Sequence, residues 1–220
     1  MRGRLLGVAG TVPVLAAAVV ALAATASAVT AAPANIIVNP GAEAGKGSPD
    51  GSTVPVPHWK VKKGGTFTAV QYGAPGGFPT STSPGPKDRG ANFFAGGPGA
   101  TASTQTATQT DSLAAYATVI AAGATFTLDG YLGGFDSQGD HVTVTVTWQS
   151  SAGAALGTAT IGPVTAAERH DVTGMLLRSV KGTVPANSAT ALVTIKCVRE
   201  DGSYNDGYAD NLSLTIVAAS

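Results

Sequence analysis

The chain is poor in the residues that mark several large functional classes. It has one cysteine in 220 residues, which excludes a disulfide framework and any multi-cysteine zinc site. Charged residues make up only 12%, with 13 basic and 13 acidic side chains, so no basic stripe is available to neutralise a phosphate backbone. Three histidines, His58, His141 and His170, are scattered without the His-Glu-x-x-His spacing of a zinc peptidase, and no Gly-x-Ser-x-Gly elbow occurs. Nothing after Val29 carries a long helical period. What is abundant is apolar residues (44%), 29 glycines and 13 prolines, a composition that can bury a core and turn often.

The first segment reads as a targeting signal. Met1 to Arg4 is basic, Leu5 to Ala24 is apolar and uncharged, and Ala26-Ser27-Ala28 supplies the small residues a signal peptidase accepts. An anchoring helix is the alternative, since the run approaches the length that spans a bilayer. Pro13, the alanine-rich run and the cleavage site favour export and removal. Residues 1–28 are therefore expected to be a secretory signal peptide and 29–220 a single secreted, extracellular domain. Losing Arg2 and Arg4 leaves 11 basic against 13 acidic side chains. With no cysteine directly following the apolar run, lipid anchoring is not expected, and release as a monomer is.

The remaining chain alternates strand and turn. In His141-Val-Thr-Val-Thr-Val-Thr-Trp148 the valines and Trp148 share one face and threonines line the other, the pattern of a half-buried antiparallel strand. The same period marks Ala124 to Tyr131, Ala191 to Val198 and Leu212 to Ile216. Further strands are expected at Asn35 to Val38, Phe67 to Tyr72, Ala91 to Phe94, Thr101 to Gln109, Ala155 to Ile161 and Met175 to Val184. Ser112 to Ala122 has room for one helical turn, and the Pro/Gly-rich Ala74 to Lys87 is expected to be a long surface loop. Many short strands joined by glycine-rich turns predict an all-β fold, a two-sheet antiparallel β-sandwich of jelly-roll type. Cys197 shares the parity of Val193 and Ile195 and is expected to be a buried thiol.

Two carboxylates stand at the ends of this pattern. Asp210 has the parity of Leu212, Leu214 and Ile216, so it is expected on the core-facing side, where an ionised carboxylate needs a cation, a guanidinium or several backbone donors. Glu43 follows the opening segment Asn35-Ile-Ile-Val-Asn-Pro-Gly-Ala-Glu43. If the first and last strands are neighbours, the two meet in an oxygen-rich site that suits calcium; alternatively, Glu43 is solvated and Asp210 accepts backbone hydrogen bonds.

That opening segment, the following Trp59 and the closing Asp206-Gly-Tyr-Ala-Asp-Asn-Leu-Ser-Leu214 together resemble carbohydrate-binding modules of the galactose-binding-like jelly-roll superfamily, and the chain is similar to secreted actinobacterial proteins of that type. The resemblance spans Asn35 to Ile216. It implies a structural calcium held by Glu43 and Asp210, and a polysaccharide or cell-wall glycan as partner. The chain departs from such modules in lacking an exposed tryptophan platform, because Trp59 and Trp148 both have core positions.

Sugars are held by aromatic faces and by side chains that hydrogen-bond hydroxyls. Outside the expected core that pairing occurs at Asp129 and Tyr131, at Phe135, Asp136 and Gln138, at Tyr204 and Asn205 in the Gly-punctuated hairpin expected over Asp201 to Tyr208, and at Phe78 in the Pro/Gly loop. These are the candidate ligand-binding residues. No catalytic residue is assigned. A non-catalytic carbohydrate-binding module is the primary expectation, with a cell-wall adhesion protein on the same scaffold, or a small glycoside hydrolase among the three glutamates and ten aspartates, as alternatives.

Overall fold

The computed structural model describes Met1, Gly3 and residues 33–99 and 103–219. The expected signal segment, apart from Met1 and Gly3, and its cleavage point lie outside the described residues. Residues 1–32 and 33–220 form separate units, and the second is the sandwich described below.

Ten strands alternate along the chain: β1 Lys60–Val61, β2 Thr68–Gln71, β3 Asn92–Pro98, β4 Thr104–Ser112, β5 Ala124–Gly134, β6 His141–Gln149, β7 Ala155–Ile161, β8 Gly174–Thr183, β9 Thr190–Val198 and β10 Tyr204–Ala218. A 3-10 turn (Ala114–Tyr116) and the five-residue helix α1 (Ala117–Ala121) sit where one helical turn was expected. The strands form two antiparallel five-stranded sheets, ordered β1-β4-β9-β6-β7 and β2-β3-β10-β5-β8. Period-two alternation is what builds the space between them. Val142, Val144, Val146 and Trp148 of β6 and Val193, Ile195 and Cys197 of β9 face Leu128, Leu132, Leu212, Leu214 and Ile216 of β5 and β10 in one buried cluster. Cys197 is fully buried, as its parity predicts, and burial pushes its thiol well above the usual range.

Three features differ from the pattern read in the sequence. Asn35 to Val38 is not a strand; the Asn35 side chain instead ties this segment to β10, donating to the Leu212 carbonyl and accepting from Leu214 N–H. The first and last segments are nevertheless neighbours. The Asp201 to Tyr208 stretch is not a hairpin, because β9 and β10 belong to different sheets and the turn crosses between them.

The third difference changes the direction of a side chain. Ala209 and Leu212 both lie in the core between the sheets, whereas Tyr208 lies in a second cluster on the other face of the β2-β3-β10-β5-β8 sheet. An irregularity between Asp210 and Ser213, with Asn211 at φ 47°, inserts one residue and reverses the parity. Asp210 therefore shares the face of Tyr208 and not that of Leu212. It is fully buried all the same, because the Pro/Gly loop folds over that face.

Candidate functional site

The second cluster consists of Val70, Ala74, Phe78, Phe93, Ala95, Met175 and Tyr208, with Tyr72, Tyr131, Phe135 and Tyr204 packed at its edge. It forms because the loop between β2 and β3 lies down on the sheet. Arg89 holds the loop's shape: its guanidinium donates to the carbonyls of Thr80, Ser83 and Pro86 at 2.7–2.9 Å and sits over the Tyr72 ring, 5.1 Å from the centroid. Pro84 O accepts Met175 N–H and anchors the loop to β8. Phe78 at its tip is buried, with its ring edge-on to Tyr204 at 5.2 Å and tilted against Phe93 and Tyr208.

Where the loop meets the start of β10, a pocket of about 250 Å³ remains, lined by Asp50, Pro75, Gly76, Phe78, Phe135, Tyr204 and Asp206. Two glycines make this approach possible. Gly51 has φ 82°, and a Cβ there would lie 2.5 Å from the Phe78 ring; Gly77 has φ 85°, and a Cβ there would meet the Phe135 ring. Tyr204 is fixed by its hydroxyl, which donates to Gly51 O at 3.0 Å.

The two carboxylates in the pocket differ in environment. Asp50 is exposed, and hydrogen bonds from the Ser52 hydroxyl, the Ser52 N–H and the Ser48 hydroxyl hold its carboxyl below the usual range. Asp206 is 8% exposed; burial raises its carboxyl to about 6, opposed by a hydrogen bond from the Tyr208 hydroxyl and assisted by the nearby Asp140. Two buried groups hold the surrounding backbone. The Asp140 carboxylate accepts the N–H groups of Glu200, Asp201 and Asp206 at 2.6–2.8 Å. Arg169, 4% exposed, donates to the carbonyls of Asp136 and Val172 and, at 3.4 Å, to that of Gln138.

Of the residues singled out from sequence, Phe78, Phe135 and Tyr204 are brought together at this pocket. Tyr131 lies at the edge of the same aromatic cluster. Asp129 is farther along β5, opposite Ser179 and Ser213. Asp136 is exposed on the turn after Phe135, and Gln138 is half-buried, its Oε1 without a hydrogen-bond partner. Asn205 is 1% exposed, and its amide is consumed inside the protein: Nδ2 donates to Ser103 O and Cys197 O, and Oδ1 accepts Gly207 N–H. It supports the turn rather than facing a ligand. Asp50 and Asp206 went unrecognised in the sequence. Asp50 belongs to a Ser-Pro-Asp-Gly-Ser turn far from the other residues, and the alternation around Asp206 is interrupted by a bulge between Asn205 and Tyr208.

Glu43 and Asp210 are drawn toward one place, on either side of Gly41: a Cβ at Gly41 would lie 3.1 Å from Asp210 Oδ1 and 3.8 Å from Glu43 Cγ. Both carboxylates have protein donors. Glu43 accepts Ala91 N–H and Asn92 N–H at 3.0 and 2.8 Å, and Asp210 accepts the Tyr72 hydroxyl at 2.6 Å and Asn211 N–H at 2.7 Å. These donors do not fully compensate Asp210. Burial raises its carboxyl to about 7, the hydrogen bonds from Tyr72 and Asn211 oppose that rise, and the charge of Glu43 adds to it. Beside this pair the buried Asn92 Oδ1 has no hydrogen-bond partner. An all-oxygen donor set of this kind fits a hard cation, although among the described residues no cluster of three or more acidic, histidine or cysteine side chains is present.

No protein-family model matches the chain, and no curated protein matches its sequence. Solved structures do. A family 16 carbohydrate-binding module aligns with a TM-score of 0.51 at 19% identity, over 82% of this chain and 99% of the module. TmCBM61, solved in complex with β-1,4-galactotriose, aligns with a TM-score of 0.47 at 13% identity over 84% of this chain and 99% of that one. The enzymatically active domain of bacteriophage CBA120 tailspike protein 4 aligns with a TM-score of 0.49 at 15% identity over 83% of this chain, which spans 21% of that larger chain. At such identities the likeness is one of architecture, and the jelly-roll sandwich of carbohydrate-binding modules is the fold this chain shares.

Proposed function

We propose that the protein is a secreted, monomeric, non-catalytic carbohydrate-binding module that takes a polysaccharide or cell-wall glycan, with one sugar ring seated in the pocket of Phe78, Phe135, Tyr204, Asp50 and Asp206. The observation that carries this reading is the meeting of three aromatic side chains with two carboxylates in a space of about 250 Å³. Aromatic faces take the apolar C–H side of a pyranose, and carboxylates accept its hydroxyls. A pocket of this size suits one ring, so the rest of a polymer would lie outside it. The fold shared with carbohydrate-binding modules supports the same reading. Affinity electrophoresis against a panel of soluble polysaccharides tests it. Retardation by at least one glycan, lost in Tyr204→Ala and in Asp206→Asn, is expected. A folded protein that ignores the whole panel, or variants that bind as well as the parent, would refute it.

In this proposal calcium is structural and is held by Glu43 and Asp210. Its role would be to offset the repulsion between the two carboxylates and the burial of Asp210, fixing the turn at Gly41 to Glu43 to the end of the loop that leads into β3. A hydrolytic reading has one observation in its favour: the pocket joins a carboxyl raised to about 6 with one held low, the division of labour of an acid and a base. Release of reducing ends from a bound polysaccharide, abolished by Asp206→Asn, would establish it; binding without release supports the module.

A further inference from the structure

The pocket uses one sheet only. The outward face of the other, β1-β4-β9-β6-β7, is built differently. Strand register aligns its side chains in rows across the sheet. One row runs Lys60, Thr108, Thr194, Thr145, Thr160. The next runs Thr106, Lys196, Thr143, and Lys62 joins its end because Lys62 N–H donates to Thr106 O at 3.2 Å. Lys60, Lys62 and Lys63 surround a shallow depression of about 330 Å³ together with Val61, Thr106 and Thr108.

Acidic side chains are unevenly divided between the two sides of the sandwich. Among the described residues of these five strands, no aspartate or glutamate projects from this face. Glu200 stands at the rim, where it approaches His141 at 3.6 Å. The other ion pair among the described residues is Arg178 with Glu168, so Lys60, Lys62, Lys63 and Lys196 have no carboxylate partner there. Glu43, Asp50, Asp206 and Asp210 all belong to the opposite side, around the Pro/Gly loop. In a chain with 13 basic and 13 acidic residues, four lysines gathered beside one sheet face are a local excess.

We propose that this face docks a carboxylate-bearing polysaccharide, a polyuronate laid across the strands. Lys62 and Lys196 flank Thr106 two strand spacings apart, about 9.5 Å, and take carboxylates from alternate sugar rings. The threonine rows offer hydroxyls to the sugar hydroxyls between them. Single exposed ion pairs contribute little, so attachment comes from several lysines acting together on one polymer. The proposal is independent of the pocket, since it uses no residue of the other sheet.

The test is affinity electrophoresis of the protein in polygalacturonate, in fully methyl-esterified polygalacturonate and in polyglutamate. Retardation by polygalacturonate alone is expected, and it should disappear near 1 M salt, where charges screen within about 3 Å. Lys62→Gln combined with Lys196→Gln should weaken apparent binding about tenfold, with an unchanged circular dichroism spectrum, while Tyr204→Ala leaves it as it was. Equal retardation by the esterified polymer would overturn the role of charge. Equal retardation by polyglutamate would overturn the role of the sugar, and loss in Tyr204→Ala would move the binding to the pocket.

Discussion

Asp206 offers a quantitative test of the pocket's electrostatics. Its carboxyl is raised from 3.8 to about 6, first by burial, then by the charge of Asp140, against the hydrogen bond from Tyr208. Between these two values the folded protein binds a proton that the unfolded chain has released, so ν_N exceeds ν_U and the slope of unfolding free energy with pH is negative. The stabilising contribution is complete below about pH 4 and is lost as pH rises through about 6. A shift of about two units corresponds to about 3 kcal/mol. Asp206→Asn keeps an oxygen for the Tyr208 hydroxyl and removes the charge. The expected result is that parent and variant have similar stability near pH 4, and that the variant becomes the more stable by about 2–3 kcal/mol at pH 8. Urea unfolding followed by tryptophan fluorescence at each pH measures the difference, with Trp59 and Trp148 both buried as reporters. Parallel pH profiles for the two proteins would refute the reasoning, since they would mean that Asp206 is as easily ionised in the fold as in water.

Other expectations concern the metal, the loop and the core. Chelator should lower the melting temperature and added calcium should restore it, and Asp210→Ala should remove most of that response; a melting temperature indifferent to chelator and to calcium would count against the calcium proposal. Gly51→Ala forces a side chain to φ 82° and into the Phe78 ring, so it should cost about 1–3 kcal/mol in urea unfolding and weaken any glycan binding at the pocket. Asp140→Ala leaves three N–H groups without their acceptor, that of Asp206 buried and those of Glu200 and Asp201 part-buried, and should destabilise by about 1–3 kcal/mol, with faster hydrogen exchange at Glu200, Asp201 and Asp206 as its signature. Trp148→Ala, at a position 1% exposed, should cost about 3–5 kcal/mol.

The amino-acid sequence alone determined the strands whose alternation is unbroken. His141 to Trp148 and Ala155 to Ile161 fall where period two places them, because each residue's face follows from its neighbour's while the pleat is regular. It determined the buried state of Cys197 and Trp148 by the same rule. It also marked Phe78, Phe135 and Tyr204 as aromatics outside the main core. The side of the sheet taken by Asp210 was decided only in the fold. One inserted residue at Asn211 reverses the parity of the stretch from Tyr208 to Asp210, and no local property of Asp210 records that. The pocket was likewise decided by tertiary structure. Asp50 and Asp206 are brought to the same walls by a loop that folds onto the sheet, held there by Arg89, Pro84 and two glycines at positive φ. Alternation is a property of neighbours along the chain, whereas a pocket is made by residues distant in sequence, and only packing brings those together.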